Sequence, residues 1–265
     1  MVLCCMNSFL GICVIFQIVT SNVTRNMISN VTRNSTDAQK LVSEKYLESK
    51  YNLKGINGED ISGKDVSGKD IRGENSNTEA NTKKVALTFD DGPNPDYTPE
   101  LLDGLKERKV KATFFLLGEE VETYPEIVKR MYEEGHLIGN HTYDHVNLGH
   151  LCEGAACDQV KKTNEIIEEV TGYYPEYVRP PFGEWKENID KDMTMIKVLW
   201  NVDPLDWATN NSDAVVQRVI KKCEDHDIIL MHDASASSVK AALEIIDVLQ
   251  KAGYEFVTVD QLILD

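Results

Sequence analysis

The sequence has no surplus of positive charge: 28 Lys and Arg stand against 44 Asp and Glu, a formal net charge of −16. Phosphate backbones are bound by basic faces, so this balance argues against nucleic acid as a partner. A long apolar run is also lacking. Phe9–Thr20 has the length of a signal-peptide core and is too short for a membrane span, and no Lys or Arg precedes it. Residues 1–21 are therefore read as a signal peptide or membrane anchor, which places the rest of the chain outside the cell or on its surface. Cysteine is scarce. Three of the six fall in this leader, leaving Cys152, Cys157 and Cys223 with spacings that match no zinc ribbon. A Cys152–Cys157 disulfide across a loop would suit an exported protein, with Cys223 as a small buried hydrophobe.

Residues 22–82 offer little with which to build a core. Ser-Asn-Val-Thr-Arg-Asn occurs at 21–26 and again at 29–34, and four pentads of the type Ile-Ser-Gly-Lys-Asp fill 56–75. Each pentad brings one aliphatic side chain and one glycine, too little apolar surface to offset the entropy of ordering. The segment is expected to be a polar, mostly unstructured linker.

From Lys83 to Asp265 strands and helices alternate. A strand ends at Asp90, followed by a helix at 98–108, a strand at 111–117, a helix at 120–134 and a short strand at 136–139. A helix at 158–170 is stopped by Gly172. Strands follow at 177–179, 196–202, 227–231 and 255–259, with helices at 212–223 and 238–252 between the last three. This order predicts one α/β domain, a parallel barrel too short for eight regular units.

Chemistry-bearing residues recur where these strands end. Val85, Leu87 and Phe89 lead into Asp90-Asp91-Gly92-Pro93, and a turn beginning at Asp90 can bring both carboxylates to one pocket, one to hold a metal and one to take a proton. His141 and His145 stand at i and i+4, the spacing that shares one face of a helical turn. With Asp91 they make the two-histidine, one-carboxylate set of a hydrolytic zinc site. His136, His150 and His226 are off this spacing and read as surface histidines. Arg179 precedes a double-proline turn and is suited to pairing with a carboxylate. Asp203 and Asp206 sit beside Trp207. His232 ends an apolar strand, placed to act as a general acid if a carboxylate orients it. Taken singly, each has a plainer reading: a solvated turn, a surface pair, a core histidine.

Taken together and in order, Thr88-Phe-Asp-Asp-Gly-Pro93, His141-x-x-x-His145, Arg179-Pro-Pro-Phe-Gly183, Asp203-x-x-Asp206-Trp207 and Leu230-x-His232 resemble the five motifs of the polysaccharide deacetylase (NodB-homology) family, carbohydrate esterase family four. The resemblance implies a distorted (β/α) barrel and a divalent metal held by Asp91, His141 and His145, zinc first, with cobalt, nickel or manganese as alternatives. It implies Asp90 as general base, Arg179 as its charge partner, and His232 as general acid tuned by Asp206. Trp207 and Leu230 would line the acetyl pocket, and the Phe182 N–H would help hold the oxyanion. The expected activity is N-deacetylation of an amino-sugar polymer, peptidoglycan favoured, by a monomer. O-acetyl xylan, chitin oligomers, or a non-catalytic carbohydrate-binding role are the alternatives.

Overall fold

The computed structural model describes residues 82–185 and 195–264, together with Lys50. The leader and all but two residues of the linker thus lie outside the described residues. β1 (Lys83–Asp90) is the central strand, and its last six residues are all buried. Burial of both faces is what a parallel strand covered on each side requires, so its Val, Leu and Phe side chains have no solvent face.

Three strands pair with β1 in parallel. β6 (Asp227–His232) runs along one edge; on the other, β7 (Tyr254–Val257) covers the first half and β2 (Thr113–Leu116) the second. β3 (Leu137–Asn140), β4 (Tyr177–Val178) and β5 (Ile196–Lys197) extend the sheet beyond β2, again all parallel. Past β5 the chain crosses to β6, where Val202 bridges Ile229 and the Leu230 N–H donates to the Val202 carbonyl over 2.9 Å. The sheet therefore curls round to meet itself as a distorted (β/α) barrel. Its strands end level, with Asp90 beside both His232 and Phe115, and Asn140 beside both Leu116 and Val178. One rim of the barrel thus collects the C-terminal ends of β1, β3, β4 and β6, the edge where α/β folds bind ligands.

The helices are α1 (Thr98–Glu107), α2 (Gly118–Thr123), α3 (Pro125–Glu133), α4 (Glu153–Thr171), α5 (Ser212–Lys222), α6 (Ala236–Lys251) and α7 (Val259–Ile263). The single helix expected at 120–134 is two, because Pro125 lacks an N–H and can only begin a helix, here at the first turn of α3. Helix α4 starts earlier than expected and stops where expected, at Gly172 with φ 75°. That early start removes the disulfide. Cys152 caps α4 and Cys157 lies in its second turn, so the two point to different sides of one helix and form no disulfide with each other or with Cys223. Cys223 is only half-buried, and burial still pushes its thiol up to about 12.

Strand 111–117 is trimmed at its start because Ala112 gives its N–H to the His136 ring, over 3.1 Å, instead of to a neighbouring strand. His136 is accordingly no surface residue. It is 5% exposed, packs edge-on against Phe114, and burial drives its pKa down to about 4. His150 and His226 are exposed, as expected.

Candidate active site

Arg179 is the side chain around which the rim is built. It is fully buried, and a buried guanidinium must have its donors satisfied. Nη1 donates to Asp90 Oδ1 and to Thr88 Oγ1, each over 2.7 Å, while Nη2 reaches the Leu199 carbonyl at 3.1 Å and Nε the Val198 carbonyl at 3.4 Å. Its plane lies 4.2 Å from the Phe115 ring. These bonds explain why the strand expected at 196–202 narrows to β5: the carbonyls of Val198 and Leu199 turn to the guanidinium. Burial lowers the Arg179 pKa, opposed by the charge of Asp90.

Asp90 ends β1 at 3% exposure. Asp91 follows with φ 71°, a left-handed conformation that breaks the strand's alternation and turns the second carboxylate toward the same cleft. His141 and His145 arrive from the loop after β3. That loop is not the helical turn their spacing suggested: Thr142 and His145 have φ of 71° and 59°, and the rings meet through two left-handed residues. Fixed partners hold this shape. Asn140 Oδ1 accepts the Thr142 N–H at 2.8 Å, Gln159 Oε1 on α4 accepts those of Tyr143 and Asp144, and the first N–H groups of α2 donate to the Thr142 and Tyr143 carbonyls.

The result is a three-ligand cluster. Asp91 Oδ1 lies 3.2 Å from His141 Nε2 and 3.3 Å from His145 Nε2, all within 4.8 Å of one another. His141 Nδ1 sits 2.7 Å from the Arg179 carbonyl, which can only accept, so Nδ1 carries a proton and Nε2 is turned toward Asp91. The buried Asp91 Oδ1 has no hydrogen-bond partner. A buried carboxylate oxygen without a hydrogen bond beside two imidazole nitrogens is a nitrogen and oxygen ligand set that suits zinc or a similar divalent ion. Burial raises the Asp91 pKa, but His141, His145 and His232 together bring it below the usual carboxylate value; burial lowers that of His145.

His232 ends β6 opposite. Asp206, 2% exposed, takes its ring Nδ1–H at Oδ1 and its backbone N–H at Oδ2, both at 2.9 Å, leaving Nε2 to face the cleft, 3.9 Å from Asp91 Oδ2. Burial lowers the His232 pKa, but the hydrogen bond and charge of Asp206 outweigh it, with Asp90 and Asp91 adding to them, and the pKa rises to about 9. Asp203 accepts the Leu205 N–H at 2.7 Å and lines the same cleft.

Asp90, Asp91, His141, His145 and His232, with Phe182, Trp207 and Leu230, line one cleft of about 360 Å³, and Arg179 and Asp206 stand behind its wall. Leu230 is buried in its floor, whereas Trp207 and Phe182 are 66% and 64% exposed on its rim. Phe182 has φ 60°, and its ring stands edge-on to His145 at 4.8 Å, a contact the sequence reading did not foresee. Gly183 and Glu184 spend their N–H groups on the carbonyls of Pro180 and Pro181, which leaves the Phe182 N–H outside the turn's own bonds. The structure brings all ten expected residues together, eight of them on the cleft wall, and adds Pro180, Trp200 and Asp203 to the lining and Thr88, Asn140 and Gln159 as braces. Asn140 was the most legible of these, as the polar residue between a strand and a ligand histidine.

Barrel, rim and cleft match the fold and the motif positions expected for the deacetylase family. Residues 77–198 match the polysaccharide deacetylase family, and the chain belongs to it. Over 184 residues it is 46% identical to the peptidoglycan-N-acetylmuramic acid deacetylase PdaC of Bacillus subtilis, covering 69% of this chain and 39% of that relative. The solved PdaC structure superposes with a TM-score of 0.68 over 69% of this chain and 91% of that one. A peptidoglycan-N-acetylglucosamine deacetylase of Bacillus cereus is 43% identical, covering 69% of each chain. A CE4 family pseudoenzyme from Bacillus anthracis is 34% identical, with a TM-score of 0.66 over 70% of this chain and 66% of that one.

Proposed function

We propose that this chain is a metal-dependent hydrolase that removes N-acetyl groups from peptidoglycan, exported by its leader and acting at the cell wall as a monomer. The observation that carries the reading is the pairing of a carboxylate and an imidazole at the mouth of one cleft, each braced by its own buried counter-charge, with the Asp91–His141–His145 cluster between them. Relatives named as peptidoglycan deacetylases favour the wall polymer over xylan or chitin oligomers.

A divalent ion bound by Asp91, His141 and His145 would polarise the amide carbonyl and acidify the attacking water. Asp90 then takes the proton of that water on the carboxylate oxygen that Arg179 does not hold. The Phe182 N–H donates to the oxygen on which negative charge develops. His232, charged because Asp206 keeps it so, delivers its Nε2 proton to the departing amine. Leu230 and Trp207 seat the acetyl methyl and exclude water around it. An amide needs both an activated nucleophile and a protonated leaving group, so base and acid must be in place together. A non-catalytic role, as in the family's pseudoenzyme, has no support from a site in which both are present. Chelation should abolish acetate release from purified wall and zinc or cobalt should restore it; release that survives chelation and Asp91→Ala contradicts the reading.

A further inference from the structure

One buried carboxylate on the rim has no part in that chemistry. Asp233 follows His232 directly and is 1% exposed, yet its side chain leaves the cleft and passes under the turn that follows Asp91. Thr98 Oγ1 donates to its Oδ2. The same Thr98 hydroxyl accepts the Asn94 N–H at 2.7 Å, and the Thr98 N–H closes the turn on the Asn94 carbonyl at 2.9 Å. Gly92 lies flat against this carboxylate: a Cβ there would come within 2.8 Å of Oδ2 and 2.9 Å of Oδ1. The other side of Gly92 is held by its carbonyl, which accepts the Leu117 N–H at 3.2 Å. The residue next to Asp91 is thus clamped between β2 and a carboxylate carried by the strand of the general acid.

We propose that Asp233 is a positioning residue that acts through Gly92, Asn94 and Thr98 to fix the left-handed Asp91 in metal-ligating register and to set its separation from His232. A turn with φ 71° at a non-glycine residue does not hold itself, and Asp91 Oδ1 has no hydrogen bond to keep it in place. The clamp supplies what local sequence does not, by tying the metal-side turn to the segment that bears the acid. Gly92 is required because any side chain would occupy the carboxylate's place. The kinetic part of this proposal rests on the deacetylase reading; the metal-binding part does not.

The test uses the full chain with Asp233→Asn, Thr98→Val and Thr98→Ser. Zinc affinity is measured by competition with a chromogenic chelator, ligand geometry by the visible spectrum of the cobalt form, and turnover by acetate release. Asp233→Asn and Thr98→Val should weaken zinc binding by about 10- to 100-fold. They should also alter the cobalt spectrum and lower kcat with KM little changed, while Thr98→Ser, which keeps the hydroxyl, behaves as wild type. A lower melting temperature with unchanged zinc affinity and cobalt spectrum would assign Asp233 a merely structural role and overturn the proposal. If Asp233→Asn does not fold, Thr98→Val decides between the same two results. Should wild type bind zinc but release no acetate from peptidoglycan, the deacetylase reading falls, and the zinc and cobalt measurements still decide the role of Asp233.

Discussion

At the scale of single residues, the proposed base and the proposed acid each face a buried counter-charge, Arg179 for Asp90 and Asp206 for His232. His232 shows this most directly: desolvation alone would leave it neutral, and the Asp206 carboxylate reverses that, lifting its pKa to about 9. A proton donor with a raised pKa stays loaded until the pH passes that value, so Asp206 sets the basic limb of the rate profile. Asp206→Asn keeps the shape and removes the charge. In the metal-free protein, NMR titration should find His232 near 9 in wild type and at or below the ordinary histidine value of about 6.5 in the variant. The basic limb of acetate release should move to lower pH and turnover should fall by about 100-fold, with zinc content unchanged because Asp206 is not among the clustered ligands. Loss of the metal in Asp206→Asn would contradict the role given to it.

His136 carries the opposite shift, with a different consequence. Its folded pKa of about 4 lies below the unfolded value, so above pH 6.5 both states are neutral and the residue makes no pH-dependent contribution. As pH falls from there the unfolded chain binds the proton first, and stability is lost down to the folded pKa, on the order of 3 kcal/mol in all. Urea unfolding at pH 7 and pH 4.5 should show this slope, reduced in His136→Gln, which keeps an acceptor for the Ala112 N–H. The sequence hid this residue because a histidine between Gly135 and an apolar strand looks like a loop residue until the partner of its ring is known. The proposed metal ligands could be picked out for the opposite reason: their types and order imply chemistry whatever the local backbone does. Their backbone was not legible, since nothing in Asp91, Thr142 or His145 announces a left-handed φ in the way a glycine would.

At the scale of elements, the site depends on the strands ending level and on α4 holding the histidine loop. Asn140 is the joint between them. Fully buried, it donates to the Val160 carbonyl and to Asn164 on α4 and accepts from Thr142 in the loop. Asn140→Ala leaves these buried partners without bonds and should cost about 2 kcal/mol or more in denaturant unfolding, with weaker zinc binding in the folded protein. A variant that keeps wild-type stability and zinc affinity would show that the loop holds itself. Strand and helix order was readable from hydrophobic periodicity, but boundaries were set by partners distant in sequence. Pro125 split a helix as a local rule predicts, whereas β5 was shortened by a guanidinium that a sequence window cannot see.

At the scale of the whole molecule, the described residues apart from Lys50 fall within one compact unit, 59–265. We propose that residues 83–265 carry catalysis and that the leader and linker serve export and reach. A fragment from Thr82 onward should therefore fold cooperatively and keep its turnover on soluble glycan fragments, read by acetate release. Failure to fold would return the linker to the domain. Among the described residues no disulfide joins Cys152, Cys157 or Cys223, so reducing agent should leave the melting temperature of that fragment unmoved.

The central claim is that one metal-dependent cleft removes acetyl groups from the wall polymer, and mass spectrometry of muropeptides tests it most directly. Purified wall treated with the zinc-loaded protein should yield muropeptides lacking an acetyl group on one defined sugar. None should appear after chelation or with Asp91→Ala. Fully acetylated muropeptides after treatment with the zinc-loaded protein, or acetyl loss that persists in Asp91→Ala without metal, would contradict the account.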